Sequence, residues 1–329
     1  MAAPSPTVAI LADSAQPRSI KELAERSGGT YGSVHKAVHA LEGQGLLEIV
    51  PHGRQRLVQA ASSNLPGMVT EAMKRSAKHL EDVLWGDHAQ LLWVLHRTSD
   101  AALTAEVLGR STSGVYQAIR RWRSGLLVKE VRGYRIHRHH QALIELLAEM
   151  DRLRAESHLE AMAPGARLLW HLGPELLVSQ PLTTEAVEGV DPKLANTPPL
   201  LPGFEPGGLD AFAAYGIPIQ TRSRTLFHSR RDTTAADAIM QALVAARYKT
   251  PFAWSPESPI VVGPEFSYAC LLYEKETPKD IWKKSDLYFD DEHPARDVAE
   301  YVTEKSDGWA GFPNWSDHER LRQMYGVGA

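Results

Sequence analysis

Two short stretches of the chain combine hydroxyl, aromatic and cationic side chains at helical spacing. The first holds Thr30, Tyr31, Ser33, His35, Lys36 and His39. The second holds Ser111, Thr112, Ser113, Tyr116, Gln117, Arg120 and Arg121. Side chains of these types can read base edges in a groove or grip phosphate oxygens. Arg54 and Arg56 follow the first stretch, and Arg132 and Arg135 follow the second. Arginines so placed on a turn can neutralise a phosphate backbone.

Behind each polar set lies a matching apolar one. Val34, Ala37, Val38 and Leu41 correspond to Val115, Ala118, Ile119 and Trp122. Separations of three and four put each set on one helix face, so helices are expected over 30–41 and 111–122. Each helix runs into Gly and Leu-Leu and then an alternating segment, Leu46–Val50 or Leu126–Val131. A turn follows (His52-Gly53-Arg54; Arg132-Gly133), and a second strand returns through Leu57-Val58 or Tyr134–Ile136. Short amphipathic helices precede each (Ile20, Leu23, Ala24; Leu103, Val107, Leu108), with an earlier helix around 7–12 or 88–97. The pattern is an internal repeat, read as a winged helix-turn-helix present twice.

The expected fold class is α+β: tandem winged helix-turn-helix domains, a linker helix and a mixed α/β C-terminal domain. The boundaries read as 1–63 for the first winged unit, 64–86 for a connecting helix and 87–140 for the second winged unit. A linker or dimerisation helix over 141–163 follows, and 164–329 forms the last domain. Leu143, Leu146, Leu147, Met150 and Leu153 make the apolar stripe of that linker helix. A long helix after a wing suits a homodimer, whose two-fold axis would match a palindromic DNA site.

Charge divides along the same line. The 329 residues carry a formal net charge of −4. Residues 1–159 hold 20 Lys+Arg against 16 Asp+Glu, and residues 160–329 hold 16 against 24. A basic half joined to an acidic half points to nucleic acid for the first and a different partner for the second. The second winged unit is the more basic: residues 97–140 carry nine Arg/Lys against three Asp/Glu, so it is expected to grip DNA more strongly.

No apolar run approaches the roughly 18–20 residues of a membrane span, and no basic-then-apolar leader opens the sequence, so a cytoplasmic setting is expected. The single cysteine, Cys270, excludes an internal disulfide and a cysteine-rich zinc site. His137, Arg138-His139-His140 and His158 lack the spacing of a helical histidine pair, so no metal is expected.

Beyond Gly165 the chain reads as strand–turn–strand over 166–178, a Pro/Gly-rich tract, a short helix over 209–215, and strands around 217–221 and 224–228. A helix over 232–247, capped by Thr233 or Thr234, follows, with a buried strand or helix turn at 268–273 and helices at 296–303 and 317–325. Leu172-Gly-Pro-Glu-Leu-Leu177, Gly208-Leu-Asp-Ala-Phe-Ala-Ala-Tyr-Gly-Ile-Pro218 and Phe227-His-Ser229 follow the winged units and connecting helix. In this combination the chain resembles archaeal-type winged-helix regulators of the MarR/ArsR kind. Its C-terminal part is similar to the effector region of AbiE-type antitoxins and to nucleotidyltransferase-like folds. Two winged units in place of one is a departure from that pattern.

The resemblance implies regulation rather than catalysis. A working nucleotidyltransferase needs a Gly-Ser turn followed by two carboxylates one residue apart on a strand to hold Mg²⁺, and no Gly-Ser followed by an Asp-x-Asp strand is found. Asp290-Asp291-Glu292 reads as a solvated acidic loop, and no phosphate-binding Gly-x-x-x-x-Gly-Lys loop occurs. Neither an enzyme nor a cofactor is expected. Arg222, Arg224, Arg230 and Arg231 form the basic cluster of the acidic half, open to a phosphorylated ligand, DNA or internal ion pairs. Trp254, Trp282, Trp309 and Trp315 read as core or interface filling.

The leading expectation is a sequence-specific, double-stranded-DNA-binding transcriptional regulator, with repression as its mode. Its C-terminal domain would take a protein partner or small-molecule effector. An autorepressing antitoxin and a plasmid replication initiator or chromosome-organising protein are the alternatives.

Overall fold

The structure is a computed structural model that describes residues 5–53, 55–131, 133–181, 201–216, 223–249, 284 and 287–289. It divides into two compact units. One comprises Met1–Ala161 with His171–Pro174, the other Met162–Trp170 with Glu175–Ala329. Both helix and strand are present in quantity, a mixed α and β composition. None of the described helices is long and apolar enough to cross a membrane.

The first unit repeats one element order. α1 (Pro6–Asp13), α2 (Ile20–Ser27) and α3 (Tyr31–Glu42) lead into the hairpin β1 (Leu47–His52) and β2 (Gln55–Ala60). After α4 (Leu65–Val83) come α5 (His88–Thr98), α6 (Ala101–Leu108) and α7 (Thr112–Trp122). The hairpin β3 (Leu127–Glu130) and β4 (Gly133–Ile136) completes the second copy. Both hairpins are antiparallel, with Leu47 opposite Ala60 and Leu127 opposite Ile136. A 3-10 turn, Arg138–His140, leads into α8 (Gln141–Met162).

Local chemistry explains the helix boundaries. Ser19 and Glu22 form a reciprocal capping box at the start of α2, and Gly28 closes that helix in the left-handed region. Asp100 caps α6 through the backbone N–H groups of Ala102 and Leu103. In α4, Ser76 departs from helical geometry (φ −134°) and pairs its hydroxyl with His140 Nδ1 at 2.7 Å. The repeated apolar faces form the core: Val34, Val38 and Leu41 are buried in one copy, and Val115, Ile119 and Trp122 in the other.

The stripe of α8 read as a dimerisation face is itself buried within the chain. Leu143, Leu146, Leu147 and Met150 are at most 2% exposed, and Leu153 is also buried. Side chains already sealed in a core cannot also meet a second copy, so this stripe is not a free dimer surface.

The second unit is built on a four-stranded sheet in the order β5-β6-β8-β7. Its strands are β5 (Arg167–Leu172), β6 (Glu175–Pro181), β7 (Glu205–Pro206) and β8 (Ser223–His228). β8 runs antiparallel to both β6 and β7. The segment Gly208–Tyr215 is a 3-10 helix, and α9 (Ala235–Lys249) follows β8. Thr234 caps α9: its hydroxyl takes the Asp237 N–H at 3.4 Å while Asp237 accepts the Thr234 N–H at 3.0 Å. The boundary expected at 164 falls at 162, and residues 171–174 belong to the first unit. Buried Asp151 accounts for this by accepting from the Gly173 N–H at 3.1 Å and pairing with His171 Nδ1 at 3.0 Å. The strand expected at 217–221, the segment 268–273, the acidic run 290–292 and the helices at 296–303 and 317–325 lie outside the described residues. So do Cys270 and the four tail tryptophans.

Candidate functional site

The site is built from the solvent faces of α3 and α7. On α3, Thr30 is the N-cap, its hydroxyl accepting the Ser33 N–H at 3.3 Å, and the Ser33 hydroxyl donates to the Thr30 carbonyl at 2.8 Å. These two residues thus start the helix while standing exposed. Along the next turns Tyr31, His35 and His39 form a ladder of rings, with centroids 6.0 Å and 4.5 Å apart. Tyr31 is 58% exposed, an unusual position for so large an apolar ring, and Lys36 stands exposed beside the ladder. His39 Nδ1 pairs with Glu42 at 2.8 Å, one turn on.

α7 repeats the arrangement with stronger cations. Ser111 caps it by accepting the Gly114 N–H at 3.2 Å, and the Ser113 hydroxyl donates to that of Ser111 at 3.2 Å. Thr112, Tyr116, Gln117 and Arg120 are exposed, Tyr116 at 47%. Arg121 is placed differently: its guanidinium reaches Asp82 of α4 at 3.3 Å, so it is shared with the scaffold. Arg123, just past the helix, is exposed and extends the basic edge, although it carries no role in the expected set.

Of the two described hairpin arginines, one differs from expectation. Arg56 is exposed on β2, opposite Pro51. Arg135 instead folds back, donating from Nε to the Ser99 hydroxyl at 2.6 Å, with Glu130 at 3.7 Å. An arginine held in this way braces the hairpin, which corrects its placement as a solvent-facing phosphate contact. Arg54 and Arg132 lie outside the described residues. At the tip of the second hairpin Val131 is fully exposed, an apolar side chain that the charge pattern gave no reason to single out.

In the second unit the arginine cluster does not form one surface. Arg231 is buried, pairing with Glu175 at 2.8 Å and with Asp237 at 2.9 Å. Burial works against its charge, but Glu175, Tyr288 and Asp237 together hold its pKa above the ordinary guanidinium value. Tyr288 donates to Asp237 at 3.0 Å, and Lys284 stands 3.3 Å from the same carboxylate. Arg231 is thus a structural ion-pair residue and unavailable to a phosphorylated ligand. Arg224 is half-buried, Arg230 is exposed and Arg222 lies outside the described residues.

Among the described residues no group of three or more His, Cys, Asp or Glu side chains could hold a metal ion. His137 and His139 stack on one another with ring centroids 4.4 Å apart, and His140 donates from Nε2 to the Gly125 carbonyl at 2.8 Å while its Nδ1 pairs with the Ser76 hydroxyl at 2.7 Å.

A family model described as HVO_A0114 matches residues 8–63, a span running from α1 through the end of β2. Neither the curated proteins nor the solved structures include a match to the chain.

Proposed function

We propose that the two helix–helix–helix–hairpin copies are tandem winged helix-turn-helix modules, and that the chain binds double-stranded DNA in a sequence-dependent manner as a transcriptional repressor. One observation carries the reading. α3 and α7 bury corresponding apolar faces and turn outward corresponding faces of hydroxyl, aromatic, amide and cationic side chains. A helix of this kind fits the roughly 12 Å major groove, and its outward side chains meet base edges. Tyr116, Gln117 and Arg120 would read bases from α7, and Tyr31, His35 and Lys36 would do so from α3. Arg56 and Arg123 supply backbone contacts. Dimerisation would have to use a face other than the buried stripe of α8. No catalytic step is proposed for either unit.

The test is gel-shift and fluorescence-anisotropy binding of the full chain to the DNA upstream of its own coding sequence, against unrelated competitor DNA. The double variant K36A/R120A removes exposed cations and leaves the Arg121–Asp82 pair intact. Specific binding that falls at least tenfold in this variant supports the reading, as does a logarithmic salt slope of about −0.9 per phosphate contacted. Equal affinity for both DNAs, or an unchanged double variant, refutes it.

A further inference from the structure

Within the first unit a cavity of about 480 Å³ is lined by the turn after α3, the start of α5 and the last turns of α8. That volume lies in the range of roughly 300–1,000 Å³ typical of small-molecule sites. Its walls are fixed by close packing. Gly45 (φ +70°) approaches α8 so tightly that a Cβ there would sit 2.4 Å from Ser157 Cβ and 3.1 Å from the Leu153 carbonyl.

The lining holds one guanidinium, Arg154, and one carboxylate, Asp87. Arg154 Nη2 donates to Gln44 Oε1 at 2.6 Å, which uses one of the five guanidinium donors. Among the described residues no carboxylate stands within ion-pair distance of Arg154. The lining acid Asp87 and the neighbouring Asp151 are both committed elsewhere. Asp87 pairs with Arg110. Asp151 accepts from the Trp93 indole at 3.0 Å and from the Gly173 backbone, and pairs with His171. Desolvation pulls the Arg154 pKa down, against the distant attraction of Asp151. A partly desolvated cation without an adjacent acid is completed by an incoming anion, whose charge-assisted hydrogen bonds are roughly twice as strong as neutral ones. At the start of α5 the first-turn residue Gln90 faces the cavity, while the Asp87 carboxylate already stands at the positive end of that helix dipole.

We propose that this cavity binds a small anionic ligand bearing a phosphate or carboxylate group. Its anionic oxygens take the free donors of Arg154, and its polar body meets Gln44, Gln90 and Ser157. The walls come from the first copy, from the opening helix of the second and from α8, so an occupant bridges both copies. Modulation of DNA binding by that bridge rests on the function proposed above. The binding of the anion does not.

The experiment is isothermal titration of the full chain with inorganic phosphate, adenosine monophosphate and citrate, with ribose as the neutral control. Saturable one-to-one binding of at least one anion, none of ribose, and a tenfold or greater loss in Arg154→Gln are expected. Phosphate-only or citrate-only binding identifies which anion the cavity takes. Ala161→Trp, which narrows the cavity without touching Arg154, is the second variant should Arg154→Gln fail to fold, and it too should lose binding. The proposal is overturned if none of the three anions binds, or if the folded variants bind as the parent does. Because the titration contains no DNA, a null result here leaves the DNA-binding reading standing, and failure of the gel shift leaves anion binding intact.

Discussion

The indole of Trp122 donates to Asp82 Oδ2 at 2.6 Å, tying the last turn of α7 to α4. The same carboxylate takes Arg121 at 3.3 Å, and the His88 ring meets Trp122 edge-on at 5.5 Å between centroids. Asp82 therefore sets the orientation of α7 from behind, on the side opposite its exposed face. A hydrogen bond to a charged acceptor contributes about 1.5–3 kcal/mol, and losing it strands the indole N–H. Asp82→Ala should lower the unfolding free energy by about that amount in urea titrations. Arg121→Ala, which removes only the exposed pair, should cost less than about 1 kcal/mol. Equal effects of the two substitutions would locate the clamp in the ion pair instead.

Glycine positions offer a paired test of backbone geometry. Gly133 opens β4 at φ +142°, and a Cβ there would fall 1.7 Å from the Ser99 carbonyl oxygen. That carbonyl accepts the Tyr134 N–H at 2.9 Å, so the close approach is part of how the second hairpin docks on α5. Gly67, by contrast, lies in α4 with nothing within 4 Å of an added Cβ. Gly67→Ala should raise stability by up to about 1 kcal/mol, since alanine loses less entropy in a helix. Gly133→Ala should lower it by more than that, because both the steric overlap and the positive φ oppose it. Thermal melts of the two variants should move in opposite directions.

The helices and hairpins of the first unit were readable from spacing alone, because Val34/Val38/Leu41 and Val115/Ile119/Trp122 repeat a helical face before the same Gly and Leu-Leu punctuation. The outward residues followed from the same periodicity. What periodicity cannot carry is partnership across the chain. Asp82 lies 40 residues from Trp122, and Arg135 lies 36 residues from Ser99. A basic residue in a hairpin reads as solvent-facing until a hydroxyl on another element claims it. Arg154 did leave a trace: it sits four residues after Met150 and seven after Leu147, on the apolar side of α8. A lone cation on a buried stripe is a signal that a list of outward-facing residues passes over.

His79 supplies a pH dependence. It packs edge-on to His140 with centroids 5.5 Å apart. Burial, then the nearness of His140 and Lys78, lowers its pKa below the ordinary value, while Asp82 opposes them. The unfolded chain therefore binds a proton at His79 more readily than the folded one. Stability from this site is complete above about pH 6.5, the unfolded value, and falls as pH drops through the lowered folded value. Urea midpoints at pH 7.5 and pH 5.5 should differ less in His79→Gln than in the parent chain. An identical pH response in the two proteins would remove His79 as a contributor.

The second unit has its own buried charges, and Arg231 is the one they depend on. Glu175 and Asp237 are fully buried, and both pair with this guanidinium. Arg231 Nη2 also lies 3.3 Å from the Tyr288 hydroxyl, and Gln241 donates to that hydroxyl at 2.9 Å. Lys284 reaches only Asp237 among these groups, so it cannot replace the pairing at Glu175. Removing Arg231 leaves at least one carboxylate buried without a counter-charge, a defect that costs about 3–5 kcal/mol. The stranded Glu175, whose pKa burial already pushes up, would then take a proton more readily. Arg231→Met should therefore destabilise the chain strongly at pH 7.5 and by less at pH 5.5, where that protonation relieves the unpaired charge. Arg230→Met, at the exposed neighbour, should change stability by no more than about 0.5 kcal/mol at either pH. Denaturant titrations of both variants at the two pH values separate an interior ion-pair network from a surface arginine patch, because a surface patch would make the two substitutions equivalent.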